Sequence, residues 1–133
     1  MNIKRLVSTA IVMCSAMVCV SVSAKEEPMF SSSGVFVQQE GENIYRALCQ
    51  GCHMPNGEGA VGAGQYPALA ENPKLGTPHY AIFMVSKGLG GMPAFSQMLT
   101  DEQIAEVVNF VRASFGNNHT DIITAKDVTP FSN

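Results

Sequence analysis

The chain has 133 residues, with 8 Lys and Arg against 11 Asp and Glu, a formal net charge of −3. If the first 24 residues are removed, Lys4 and Arg5 go with them and the charge falls from −3 to −5 over the remaining 109 residues. A chain that small holds one domain, and its acidic balance excludes nucleic acid and anionic lipid as partners, since both are bound through a basic face.

Residues 1–24 read as a secretory signal peptide. Lys4 and Arg5 form a positive start, Leu6 to Val20 is an apolar run, and Val22-Ser23-Ala24 offers a cleavage site after Ala24. The apolar run is short for a spanning helix, which needs about 20 residues. The expectation is therefore export to the bacterial periplasm, with no stable membrane insertion after cleavage. Cys14 and Cys19 leave with the signal, so only Cys49 and Cys52 remain.

Residues 25–39 read as a flexible leader containing Ser31-Ser32-Ser33-Gly34, in which Val35-Phe36-Val37 could pack as a short extended piece. A first helix is predicted from Glu40 to Cys52, on the apolar spacing of Ile44, Tyr45 and Leu48. It ends on Cys49-Gln50-Gly51-Cys52-His53, and C-x-x-C-H is the attachment sequence for c-type haem. The spacing has a physical reason. Residues three and four apart share a helix face, so both thiols reach one porphyrin edge while His53 stands over the iron.

From Met54 to Gly64 four glycines and Pro55 exclude regular structure. A second helix starts at Thr77 and Pro78 and stops at Gly88. A third opens with a capping box, Thr100 with Gln103, and carries the stripe Ile104, Val107, Val108, Val111 up to Gly116. Residues 118–133 read as a tail with a short turn at Thr124 to Asp127. With no convincing β-hairpin, the fold class is a small all-α domain of three main helices and loops.

Two other uses of C-x-x-C fit less well. A thioredoxin-like couple expects a βαβ pattern that is absent, and structural zinc takes four ligands, whereas there is no second Cys pair. The sixth position on a haem iron decides the function. Met opposite His makes an electron carrier, whereas an open position allows gas binding or peroxide chemistry. Met92 is the expected ligand, between Gly90-Gly91 and Pro93, with enough chain after His53 to cross the ring. Met98 is its rival. Met54 adjoins His53, Met84 falls within a helix and Met29 lies in the leader, while His79 and His119 offer bis-His ligation.

Together, Cys49-x-x-Cys52-His53, Tyr66-Pro67-Ala68-Leu69 and Gly91-Met92-Pro93-x-Phe95 with a closing amphipathic helix resemble the class I monohaem cytochromes c. The resemblance covers about residues 40–117, the expected cytochrome c domain. It implies one covalent haem c held by Cys49 and Cys52, with His53 and Met92 on the metal. It also implies that Pro67 accepts the Nδ1–H of His53. Gly41 and Tyr45 should cross the last helix at Val107 and Phe110. Asn109 to Asn117 is similar, more narrowly, to small cytochrome subunits of periplasmic dehydrogenases, although the loop before Met92 is shorter than in many of them.

The expected function is one-electron transfer without catalysis by the chain itself. Leu69, Tyr80, Phe83, Leu89 and Phe95 are the expected haem wall. Expected partners are redox proteins, a periplasmic dehydrogenase as donor and an oxidase or another cytochrome as acceptor. A dedicated dehydrogenase subunit is one alternative, and a five-coordinate haem sensor or peroxidase is another.

Overall fold

In the computed structural model, residues 30–31, 35–62 and 64–132 are described. The signal segment 1–24, residues 25–29 and Met29 among them lie outside these. Helix α1 (Gly41–Ile44) runs on through a π-helical turn (Tyr45–Cys49) into α2 (Gln50–His53). Then come α3 (Pro78–Lys87), α4 (Asp101–Ala113) and α5 (Ala125–Ser132), with 3₁₀ turns at Pro73–Gly76 and Phe95–Gln97.

Local chemistry sets the helix ends. Thr77 is extended and Pro78 opens α3, although the Thr77 side chain makes no capping bond. Gly88 closes α3 with φ +70°, where a side chain would be strained. At α4 the capping box is complete. Thr100 Oγ1 accepts from the Gln103 N–H, and Gln103 Oε1 accepts from the Thr100 N–H at 2.9 Å.

The α4 stripe of Ile104, Val107, Val108 and Val111 is buried against Ile44, Tyr45, Leu75 and Ile82. Each such side chain contributes on the order of 1.5–3 kcal/mol by leaving water. Helices α1 and α4 cross in close contact. A Cβ at Gly41 would overlap the Glu106 carbonyl and lie 2.7 Å from the Phe110 Cβ, so only glycine fits.

Three expectations need correction. The leader is not without fixed structure, because Phe36 is buried in the core and pairs with Phe30. The buried Gln103 amide donates to the carbonyls of Phe36 (3.2 Å) and Gln38 (2.8 Å). A buried amide needs such partners, and that need pins the segment. A small antiparallel ladder also forms, with Ala60 opposite Tyr66 and Val61 opposite Gln65. Glycine-rich chain can still pair its backbone groups over two rungs.

The supposed tail is the third. It folds back and forms α5, which packs on α3 and α4 with Ile123 and Val128 buried. Arg112, 1% exposed, explains much of this. Its guanidinium donates to the Leu75 carbonyl at 2.8 Å, to the Asp121 carbonyl at 3.1 Å and to both Asp121 carboxylate oxygens. A buried charge left without such a partner is strongly destabilising. Asn109 adds two bonds to the backbone of Ile123.

Candidate functional site

Cys49, Cys52 and His53 are brought together on one continuous turn. Cys49 ends the π-helical turn half-buried, Cys52 is exposed and His53 is buried. A π turn widens the helical ring and is common where a helix carries function. His53 Nδ1 lies 2.9 Å from the Pro67 carbonyl. A carbonyl can only accept, so the proton sits on Nδ1 and the Nε2 lone pair is left for a metal.

Burial pushes the Cys49 thiol up to about 12, with Cys52 adding to the rise. A thioredoxin-like nucleophile needs the opposite, a lowered thiol pKa. Among the described residues no group of three or more His, Cys, Asp and Glu could hold a metal ion by themselves. The Cys49 thiol is therefore unlike a disulfide-exchange nucleophile.

The loop after His53 is densely braced. The His53 carbonyl accepts from the Gly59 N–H at 3.1 Å, and the Gly57 carbonyl accepts from Leu69 (2.6 Å) and Ala70 (2.9 Å). Asn117, also buried, donates to the carbonyls of Leu69 and Val111 and accepts from the Asn72 N–H. Sequence reasoning left Asn117 at the edge of a tail. It also read Tyr45 only as a packing residue, whereas its hydroxyl donates to the Met54 carbonyl at 2.7 Å. Burial raises that phenol to about 12, with smaller contributions from Cys49 and Glu58.

Met92 sits on a separate loop at the C-terminal end of α3. Leu89 and Met92 exchange two backbone bonds, 3.1 and 3.0 Å, around Gly90-Gly91. The loop lies against Gly88 so closely that a Cβ there would overlap the Met92 carbonyl. Met92 is half-buried against the core, while Met98 is 47% exposed. The His79 ring lies beside Phe131, centroids 5.9 Å apart, and the His119 backbone N–H bonds to the Arg112 carbonyl.

Helix α3 has two apolar faces. Ala81, Ile82 and Ser86 point into the core, whereas Tyr80 and Phe83 are exposed. Leu89 is exposed too, Leu69 is half-buried, and Phe95 is a core residue rather than a free wall. A flat apolar ring set against Tyr80, Phe83 and Leu89 would take that surface out of water. Two cysteines on one turn, an imidazole with Nε2 free and this apolar face make a donor set suited to haem c.

Residues 37–111 match the family model described as cytochrome C oxidase, cbb3-type, subunit III. The chain is 34% identical over 111 residues to the cytochrome c subunit of the quinone alcohol dehydrogenase of Gluconacetobacter polyoxogenes, a match covering 74% of this chain and 23% of the relative. It thus spans about a quarter of that relative's length. It is 36% identical over 97 residues to cytochrome c-552 of Thermus thermophilus, covering 60% of this chain and 71% of the other. It is 36% identical over 76 residues to cytochrome c6 of Microcystis aeruginosa, covering 56% and 93%. No helix among the described residues is long and apolar enough to cross a membrane.

Proposed function

The chain belongs to the cytochrome c family and has its small all-α fold, and we propose that it is a periplasmic one-electron carrier holding one haem c. In this reading Cys49 and Cys52 would hold the haem through two thioether bonds, and His53 Nε2 and Met92 Sδ would ligate its iron. When bound, the haem supplies an Fe(III)/Fe(II) couple, which a His/Met pair sets at a raised potential. The observation that carries the proposal is the His53 Nδ1 bond to the Pro67 carbonyl at the end of a C-x-x-C-H turn. It fixes the tautomer that leaves Nε2 available.

The chain's own residues have modest tasks. Pro67 orients the imidazole, and the Leu89–Met92 turn presents a thioether. Tyr80, Phe83 and Leu89 exclude water, which lowers the local dielectric. No proton donor or nucleophile is required, so the chain transfers electrons and does not catalyse on its own.

The donor we propose is a dehydrogenase, and the acceptor an oxidase or a second cytochrome. An acidic carrier favours partners with basic docking patches, with association rates that fall as salt rises. The Val22-Ser23-Ala24 site supports export before haem attachment. Intact mass and the near-infrared spectrum of the oxidised holo protein test this reading. One haem added per chain, with a weak Met-to-iron charge-transfer band, is expected; a high-spin spectrum without the band would move gas sensing or peroxide reduction to the front.

Similarity to the alcohol dehydrogenase cytochrome subunit favours a second reading, a dedicated subunit of a dehydrogenase complex. Co-purification with a flavin or quinone dehydrogenase subunit at fixed stoichiometry separates it from a free shuttle.

A further inference from the structure

Met54 follows His53 directly with φ 67° and ψ 159°. That backbone region is essentially reserved for glycine, so a residue with a Cβ stays there only where its surroundings hold it. Two donors converge on its carbonyl, the Tyr45 hydroxyl at 2.7 Å and the Gly57 N–H at 3.1 Å. Tyr45 is 1% exposed. Its ring is wedged between Phe115 and Phe110, with centroids 4.9 and 5.6 Å away, which gives the hydroxyl a fixed place.

The same turn is tied to the far side of the loop. Gly57 accepts from the N–H groups of Leu69 and Ala70. Two residues before Leu69, the Pro67 carbonyl receives the His53 Nδ1–H at 2.9 Å. The contacts form a closed circuit, from Tyr45 through Met54 and Gly57 to the Pro67–Leu69 segment and back to His53, whose peptide joins it to Met54.

We propose that Tyr45 is a positioning residue for His53: its hydroxyl holds the strained Met54 peptide and so sets the Nδ1–H bond to Pro67 and, through it, the reduction potential. The inference rests on the reading of His53 as an iron ligand. A firm Nδ1–H bond makes the imidazole a stronger donor at Nε2 and favours Fe(III). Loosening that bond moves the potential upward.

The test is Tyr45→Phe in the haem-loaded full chain, with Val128→Ala, a buried residue of α5 outside the circuit, as a control for lost stability alone. In the reduced protein, proton NMR reads the exchange rate of the His53 Nδ1–H, and a redox titration reads the midpoint potential. Loss of one hydrogen bond should speed exchange by roughly two- to tenfold and shift the potential positive. Val128→Ala should lower the melting temperature and leave both other readings at wild-type values.

Wild-type exchange and potential in Tyr45→Phe would overturn the inference, as would the same shifts in Val128→Ala. If Tyr45→Phe fails to load haem, Met54→Gly is added, because glycine adopts φ 67° unaided. Recovery of loading supports the inference, and no recovery overturns it. A wild-type spectrum lacking the ring-current-shifted resonances of an iron-bound His53 overturns the ligation reading itself.

Discussion

The loop that follows His53 and the loop that carries Met92 are built to different standards. Behind His53, the Nδ1 proton, the backbone carbonyl and the Pro67–Ala70 segment are each hydrogen-bonded, and buried Asn117 ties that segment to α4. Met92 is placed by one tight turn, its two backbone bonds to Leu89 and the Gly88 contact. A braced ligand keeps its geometry in both oxidation states. With Met92 as the proposed ligand on a short turn, it is the one expected to open first, so external ligands should enter there.

The largest expected effect removes what both loops serve in the proposed function. A Cys49→Ala, Cys52→Ala double variant cannot hold haem covalently, and the haem-free chain should lose most of its far-UV helical signal, because a core this small is marginal without its staple. Native-like circular dichroism in that variant would mean the polypeptide core folds on its own. Next, Met92→Ala should keep the haem mass, lose the charge-transfer band and bind added imidazole readily. An unchanged ferric spectrum would remove Met92 from the iron.

Gly88→Ala probes the same loop more gently. It forces a Cβ into φ +70° and against the Met92 carbonyl, at a cost of about 1–3 kcal/mol. Thermal melts should show the loss, together with a weakened charge-transfer band. Neither change should disturb the His53 Nδ1–H, if the two loops are as independent as their bonding implies.

The smallest effect lies at Asp121, the ion-pair partner of Arg112 on α4. Hydrogen bonds from the Arg112 guanidinium hold this carboxyl below the usual range. A depressed folded value means the stabilisation is complete above the unfolded value near 3.8 and is lost as pH falls through the folded one. The melting-temperature gap between wild type and Asp121→Asn should therefore be largest near neutrality and close in acid. A gap that persists undiminished below about pH 3 would assign the effect to something other than the carboxylate charge.

What could be read from the sequence was local. The ends of α3 and the capping box of α4 each announce themselves within four residues, and C-x-x-C-H is a single turn. What was missed joins segments far apart. The Gln103 bonds to Phe36 and Gln38, the Arg112 bonds to Leu75 and Asp121, and the Tyr45 bond to Met54 follow no period that a window could detect. The π-helical turn belongs with these, since it depends on where Tyr45 packs. Helix α5 is a different case. Thr124-x-x-Asp127 is a capping pattern, and Asp127 does accept from the Thr124 N–H and hydroxyl, but Thr129 and Pro130 inside the helix hid the signal.

The two attachments at the start of α4 bear on how this module is strung. Gln103 grips the backbone at Phe36 and Gln38, and two residues earlier Asp101 accepts from the Thr129 hydroxyl on α5. The Phe36–Gln38 backbone and α5 are thus moored at the same corner. A break in the first turn of α4 would therefore loosen both attachments at once.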